Sequence, residues 1–168
     1  EPEPHAVIAK EAAYLITNMM ADVVQRGTGQ AAKVLERPIA GKTGTTNDYI
    51  NAWFIGGTPN LVTGVYVGFD DRRSLGESET GARSALPIWI GFMKEALKQL
   101  PVMPFEIPDG VTFVKVDSST GLLESEQEGE GHKGTVELFT KGSEPTQAVQ
   151  RRQDPMDFYK LDQIPEGQ

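Results

Sequence analysis

A run of four residues, Lys42-Thr43-Gly44-Thr45, combines a positive charge, two hydroxyl groups and a position without a side chain. If the run is a β-strand, Lys42 and Gly44 share one face and the two threonines share the other. Because Gly44 presents no side chain, an extended peptide can lie against the strand and pair with its backbone. The threonine hydroxyls would donate to a peptide carboxylate, and Lys42 would hold that carboxylate or lower the pKa of a nearby hydroxyl.

Other candidate chemistries are disfavoured by residue spacing. His5 and His132 are far apart, and neither has a second histidine at helical spacing, so we predict no metal site. Asp70 and Asp71 are adjacent and precede two arginines. This arrangement favours a solvated turn with local ion pairing over an acid/base pair.

The composition of the chain disfavours or excludes several classes of partner and of chemical site. The 168 residues carry 16 Lys+Arg against 24 Asp+Glu, a formal net charge of −8 that would repel phosphate, so we expect no nucleic-acid partner. The chain has no cysteine, which excludes disulfides, thiolate zinc sites and cysteine nucleophiles. No apolar run approaches the roughly 18–20 residues that span a bilayer. Apolar residues make up 38% of the chain, enough to bury a core at this size.

Hydrophobic spacing predicts one helix and three strands in the first part of the chain. Residues 9–26 are predicted to form an amphipathic helix, with Gly27 as its C-cap and a following loop whose backbone can take positive φ. Short apolar runs predict strands at residues 39–45, 50–57 and 61–69. The last two strands are close enough in sequence to form an antiparallel hairpin.

A second helix is predicted after a surface loop at residues 70–81. A cap at Ser84 or a neighbouring residue and Pro87 in the first turn mark its start, and Pro101 and Pro104 mark its end. The apolar spacing predicts its buried stripe as Leu86, Ile90, Met93, Leu97 and Leu100. Two helices would thus cover an antiparallel sheet, which is an α+β fold.

The composition changes after residue 105. Residues 1–105 hold 10 basic and 11 acidic side chains, whereas residues 106–168 hold 6 and 13, so the second part carries nearly all of the net charge. We therefore divide the chain into a first domain at residues 1–105 and a small, β-rich acidic C-terminal extension at residues 106–168. Strands are predicted in the extension at residues 111–116 and 136–140.

Two segments of the extension are not predicted to join a core. The acidic, glycine-containing stretch at residues 124–131 cannot bury much apolar surface, so we expect a mobile loop. From Ser143 onward we expect an extended strap or partial disorder.

Three runs of the sequence together resemble a known family: residues 41–48 (GKTGTTND), 52–59 (AWFIGGTP) and 65–71 (VYVGFDD). They look like the end of the transpeptidase domain of class A penicillin-binding proteins, and the resemblance covers about residues 7–100. Serine β-lactamases share the Lys-Thr-Gly triplet but not the sequence of the strand that carries Trp53 or the run at residues 68–71 (GFDD). The resemblance implies part of the β-lactamase/transpeptidase-like fold.

The resemblance implies a DD-transpeptidase, which cross-links peptidoglycan stem peptides at D-Ala-D-Ala through a serine acyl-enzyme and is acylated by β-lactam antibiotics. By motif, Lys42 would orient the substrate carboxylate and the serine of a second motif. Thr43 and Thr45 would hydrogen-bond that carboxylate, with Gly44 and Thr46 completing the substrate-binding set. The Thr45 backbone N–H would be one half of the oxyanion hole. No cofactor is implied.

Of the three motifs that this mechanism needs, the chain carries one. The nucleophile lies in S-x-x-K and a second serine in S-x-N. None of the seven serines has a lysine three positions later or an asparagine two positions later. We therefore expect a C-terminal part of a bifunctional synthase that is inactive alone. The nucleophile, a glycosyltransferase domain and an anchor to the periplasmic face of the bacterial inner membrane would lie in a missing N-terminal part.

Two alternatives stay open. The first is a non-catalytic binding module whose edge strand captures a peptide carboxylate. The second is a relative of the serine β-lactamases. A complementing fragment that carries S-x-x-K would favour the transpeptidase, whereas a well-folded lone monomer that binds peptide with micromolar affinity would favour the module.

Overall fold

The computed structural model describes residues 5–124 and 134–149. The chain divides into two compact units, residues 1–109 and residues 110–168. The first unit is a mixed helix and antiparallel-sheet structure, so the predicted α+β class is confirmed. All of the predicted site residues lie in this first unit.

Helix α1, Lys10–Arg26, opens the described part of the first unit. It ends at Gly27, whose N–H donates to the Val23 carbonyl at 3.1 Å, so the predicted C-cap is confirmed. The following loop does not use the positive φ that its glycines allow, since Gly27 has φ −109° and Gly29 has φ −97°. Gly27 is required for space instead, since a Cβ there would lie 2.9 Å from Val23 Cα.

The three predicted strands are confirmed, with small shifts at their ends. They are β1, Ala40–Thr45, β2, Asn51–Thr58, and β3, Leu61–Gly68, which pair antiparallel in the order β1-β2-β3. Two 3-10 helices, Gln30–Leu35 and Asn47–Tyr49, were not predicted. They are too short to produce a helical period in the sequence.

The second predicted helix is present, and a helical turn that was not predicted precedes it. A π-helical turn, Gly81–Ala85, leads into α2, Leu86–Ala96, which has the predicted proline in its first turn. The predicted cap at Ser84 or a neighbouring residue is confirmed at the neighbour, because Ala85 is the N-cap of α2. Ser84 itself lies inside the π-helical turn, and its hydroxyl donates to Glu79 Oε2 at 2.6 Å. Thr80 is the extended residue that precedes the turn.

The core of the first unit lies between α2 and the inner face of the sheet. Trp89 is fully buried, packs edge-on against Phe54 with ring centroids 4.9 Å apart, and donates its indole N–H to the Thr63 carbonyl at 3.1 Å. The predicted stripe missed Trp89 and included Ile90 and Leu100, which are only partly buried. The buried cluster comprises Val24, Ala32, Ile39, Phe54, Ala85, Leu86, Trp89, Met93 and Leu97.

Arg37 links the chain just before β1 to the end of α2. Its guanidinium donates to the carbonyls of Leu97 at 2.8 Å, Leu100 at 2.9 Å and Pro101 at 3.3 Å. Carbonyls at a helix C-terminus have no partner within the helix, and a cation there also complements the helix dipole. Arg37 therefore fixes the position of β1 relative to α2.

The second unit contains a two-stranded antiparallel sheet. Its strands, β4, Val111–Val116, and β5, Thr135–Thr140, agree with the predicted strands. In the turn after β4, the Asp117 carboxylate accepts hydrogen bonds from the Ser119 hydroxyl and from the Thr120 N–H, the latter at 2.9 Å. These hydrogen bonds lower the pKa of Asp117 to about 2, so its carboxylate is ionised at neutral pH.

Two predictions about the extension fall partly outside the described residues. Residues 125–131 of the predicted mobile loop lie outside them, as do residues 150–168 of the predicted strap. In the described part of the strap, Ala148 forms an isolated parallel bridge with Leu123.

Replacing Trp89 with alanine should lower the free energy of unfolding by about 3–5 kcal/mol, because a fully buried ring and its hydrogen bond are lost. Trp53→Ala is the matched control. Trp53 is 41% exposed, so its loss should cost less than about 1.5 kcal/mol. Urea unfolding followed by far-ultraviolet circular dichroism measures both changes, and equal losses would contradict this description of the core.

Candidate functional site

The Lys-Thr-Gly run lies on β1, which in the described part of the chain pairs with β2 alone. Just beyond β1, the Thr46 N–H donates to the Asn51 carbonyl at 3.0 Å and so points toward β2. Because N–H groups alternate in direction along an antiparallel strand, those of Thr43 and Thr45 point away from β2. The free edge of β1 thus presents two backbone donors.

The register assigns the side chains of β1 to two faces. Thr43 lies opposite the fully buried Phe54, and Thr45 lies two residues further along the same inner face. Lys42 and Gly44 lie on the outer face. The fold therefore brings a cation, a bare backbone position and two hydroxyls to one end of one edge strand.

Thr28, in the loop that follows α1, holds the hydroxyl of Thr43. The two Oγ1 atoms are 2.7 Å apart, which is hydrogen-bond distance. The partners are 15 positions apart in sequence, and no motif in the sequence connects them. Thr28 is therefore a site residue that the sequence did not identify.

Gly81, the first residue of the π-helical turn, holds the hydroxyl of Thr45. Its backbone N–H donates to Thr45 Oγ1 at 3.0 Å. The glycine lies directly over the strand, because a Cβ on it would be 2.6 Å from the Gly44 carbonyl oxygen and closer still to the Trp53 carbonyl oxygen. The sequence placed Gly81 in a surface loop and gave no sign of this contact.

Lys42 is exposed, and its ammonium group donates to the Thr43 carbonyl at 2.7 Å. Among the described residues, the ion pairs join other side chains, and none involves Lys42. A cation that is bonded only to a neutral carbonyl remains available to an incoming carboxylate.

Thr46 closes the turn between β1 and β2. Its hydroxyl accepts from the Asn51 N–H at 2.9 Å, and its carbonyl accepts from the Tyr49 N–H at 3.2 Å. Asp48 and Tyr49 both take left-handed φ, at 60° and 52°. The hydroxyl and the carbonyl of Thr46 thus both accept hydrogen bonds within this turn. The assignment of Thr46 to substrate binding stays a prediction.

Beside Lys42 and Gly44, the outer face of the sheet is apolar and exposed. Trp53 and Tyr66 lie with ring centroids 4.8 Å apart. The exposed fractions are 41% for Trp53, 47% for Ile55, 73% for Val62 and 48% for Tyr66. Exposed apolar faces of this kind are typical of surfaces that contact another segment, chain or ligand.

The groups that the sequence disfavoured as sites behave as ordinary surface residues where they are described. Asp71 pairs with Arg73 at 3.1 Å, and both side chains are exposed. His5 is exposed, whereas His132 lies outside the described residues. In residues 5–124 and 134–149, no three metal-ligating side chains cluster, and no helix is long and apolar enough to cross a membrane.

Comparison with known proteins connects the first unit to one family. A sequence model of the penicillin-binding protein transpeptidase domain matches residues 1–88. Penicillin-binding protein 1A of Rickettsia conorii is 47% identical over 110 residues, covering 66% of this chain and 14% of the relative. The protein of the same name from Aquifex aeolicus is 41% identical over 144 residues, covering 86% of this chain and 19% of the relative.

A solved structure shares the fold. The crystal structure of penicillin-binding protein 1A from Haemophilus influenzae superposes with a TM-score of 0.77 at 38% identity, covering 86% of this chain and 22% of that chain. The chain therefore spans less than a quarter of each of these relatives.

The free edge of β1 predicts a pattern of amide hydrogen exchange. The Thr43 and Thr45 amides should exchange more than about tenfold faster than those of Lys42 and Gly44, which point toward β2. Exchange into heavy water, followed residue by residue by nuclear magnetic resonance, measures the rates. Equal protection of all four amides would show that the edge is occupied.

Proposed function

The chain belongs to the penicillin-binding protein transpeptidase family, and from this we propose that β1 forms the Lys-Thr-Gly wall of a peptidoglycan DD-transpeptidase cleft. The single observation that carries the proposal is the free edge of β1, where the Thr43 and Thr45 N–H groups point outward. A stem peptide would extend along this edge as an added strand.

The reaction transfers an acyl group from one stem peptide to another. A serine hydroxyl attacks the penultimate D-Ala carbonyl and transfers its proton to a base. The peptide bond breaks and terminal D-Ala departs as the amine. An amine from a second stem peptide then attacks the acyl-serine, which re-forms a peptide bond and releases the serine. A β-lactam acylates the same serine by opening its ring.

The residues of β1 would stabilise the negative charges of the oxyanion and of the substrate carboxylate in these steps. The Thr45 N–H would donate to the developing oxyanion, and one such donor is worth about 3–4 kcal/mol of barrier lowering. The Thr43 and Thr45 hydroxyls would donate to the terminal carboxylate, which Lys42 would also attract. Because Gly44 has no side chain, the peptide could approach the strand closely, and Thr46 would continue the binding strand.

The nucleophile would come from outside this chain, since none of its seven serines lies in an S-x-x-K or S-x-N pattern. We therefore propose that the chain is inactive alone and acts with a segment that carries both motifs. The exposed apolar face around Trp53 and Tyr66 supports such a partner. In the longer protein, a glycosyltransferase domain and an N-terminal anchor would accompany the transpeptidase at the periplasmic face of the inner membrane.

Labelling with a fluorescent penicillin tests the proposal. This chain alone should not be labelled, whereas a separate fragment with S-x-x-K should be labelled only when this chain is present. Covalent labelling of this chain alone would refute the proposal that the nucleophile lies outside this chain. Peptide binding without any labelling of the mixture would instead favour the non-catalytic module, and rapid β-lactam hydrolysis by the mixture would favour the β-lactamase relative.

Lys42→Ala should slow this labelling by about tenfold or more, because the β-lactam carboxylate loses an ionic partner. Lys33→Ala is the matched control, since Lys33 is also an exposed lysine but lies in the 3-10 helix that precedes β1. The control should label at the unmodified rate. Equal labelling rates for Lys42→Ala and Lys33→Ala would show that Lys42 does not contribute to the site.

A further inference from the structure

We propose that Gly81 is a positioning residue for the carboxylate of the bound peptide, acting through the Thr45 hydroxyl. The inference rests on the proposed function and adds to it a residue outside the Lys-Thr-Gly run. Gly81 lies 36 positions from Thr45 in sequence and belongs to the helical segment that continues into α2.

The hydrogen bond between these residues decides the direction of the hydroxyl proton. A threonine hydroxyl has one proton to donate and two lone pairs to accept with. The Gly81 N–H has only a proton, so Thr45 Oγ1 must accept in this 3.0 Å contact. Among the described residues, no acceptor takes the Thr45 hydroxyl proton, which is left to donate to a ligand. A carboxylate accepts this donor, whereas an ammonium group would not.

The identity of residue 81 follows from its distance to the strand. A Cβ on Gly81 would lie 2.6 Å from the Gly44 carbonyl oxygen and 3.1 Å from the Gly44 nitrogen. Any side chain would therefore push the amide away from β1 and lengthen its hydrogen bond to Thr45. Gly44 leaves the outer side of the strand backbone open, whereas the missing side chain of Gly81 lets its own backbone approach the inner side closely.

The fold also keeps this amide in place. The Thr80 carbonyl accepts from the Arg83 N–H at 3.0 Å and from the Ser84 N–H at 2.8 Å, which closes the turn around Gly81. Four residues after the turn ends, Trp89 is buried against Phe54, the neighbour of Thr43 on the inner face. The Gly81 donor is thus attached to the same core that supports β1, so it is preorganised before a ligand arrives.

The test removes the Gly81 N–H without adding an atom, by replacing Gly81 with glycolic acid so that its amide becomes an ester. The same replacement at Gly91 is the matched control, because it removes an α2 N–H at a glycine with no heavy atom within 4 Å of its Cβ position. Both variants are studied in the penicillin-reactive complex with the S-x-x-K segment.

Two substrates separate positioning from folding. One is an N-acyl-D-alanyl thioester of thioglycolic acid, which carries a free carboxylate, and the other is its methyl ester, which carries none. The Gly81 replacement should lower kcat/KM for the acid by about tenfold or more and for the methyl ester by less than about twofold. The Gly91 replacement should leave the acid-to-ester ratio unchanged.

Thr45 variants keep the test decisive if the Gly81 replacement does not fold. Thr45→Ser retains a hydroxyl and should retain the acid-to-ester ratio within about threefold, whereas Thr45→Val should lower it by about tenfold or more. In the Thr45→Val background, the Gly81 replacement should have no further effect on the ratio.

Three results would overturn the inference: equal loss for both substrates at Gly81, an unchanged ratio in Thr45→Val, or additive effects of the two changes. In each of these cases the unmodified complex still reacts with the thioesters, so the proposed function survives. If the unmodified complex reacts with neither thioester nor penicillin, the proposed function fails, and the role of Gly81 fails with it.

Discussion

The proposed site depends on one constraint: β1, which pairs only with β2 among the described residues, must keep its other edge available while its inner face and its start are held fixed. Backbone N–H groups need partners, and we propose that the outward donors at Thr43 and Thr45 find theirs in a bound peptide. Without restraints, an unpaired edge strand would bend so that its backbone N–H groups could form hydrogen bonds elsewhere. Arg37 at the start of the strand, Phe54 beside its middle and Gly81 over its end restrain this bending.

The amino-acid composition of β1 suits an edge strand whose backbone stays accessible. Bulky side chains would fill the space on both faces, whereas glycine leaves the backbone accessible. A Cβ on Gly41 would lie 2.6 Å from the Phe54 ring, so that glycine lets the core ring pack directly against the strand. The threonines on the inner face receive polar partners, Thr28 and Gly81, at the margin of an otherwise apolar core. We propose that Gly44, which by itself weakens β1 as a strand, leaves the strand backbone accessible to a bound peptide.

Much of the first unit could be predicted because its signals are local. The helical period of α1 and the two-residue turn between β2 and β3 are both visible within short windows. Trp89 was missed because one apolar stripe fitted the spacing with Ile90, and only packing against Phe54 decides which residue turns inward. The π-helical turn before α2 was not predicted, because its five residues are too few to produce a helical period in the sequence.

The partners of the site could not be predicted for a different reason. The Lys-Thr-Gly run was found from residue types, but Thr28 and Gly81 meet it only after 15 and 36 residues of chain have folded back. A glycine in a sequence usually indicates a turn. The residues adjacent to it in sequence do not show that its amide will contact a distant hydroxyl group. Long-range hydrogen bonds of this kind follow from the packing of α2 on the sheet, which a single sequence does not encode in any local window.

A crystal structure of the penicillin-acylated complex between this chain and the S-x-x-K segment tests the central claim most directly. The account predicts the antibiotic along the free edge of β1, with its carboxylate within about 3.2 Å of the Thr43 or Thr45 hydroxyl and its acyl oxygen accepting from the Thr45 N–H. Acylation at any site that leaves this edge empty, or at a serine of this chain, would contradict it.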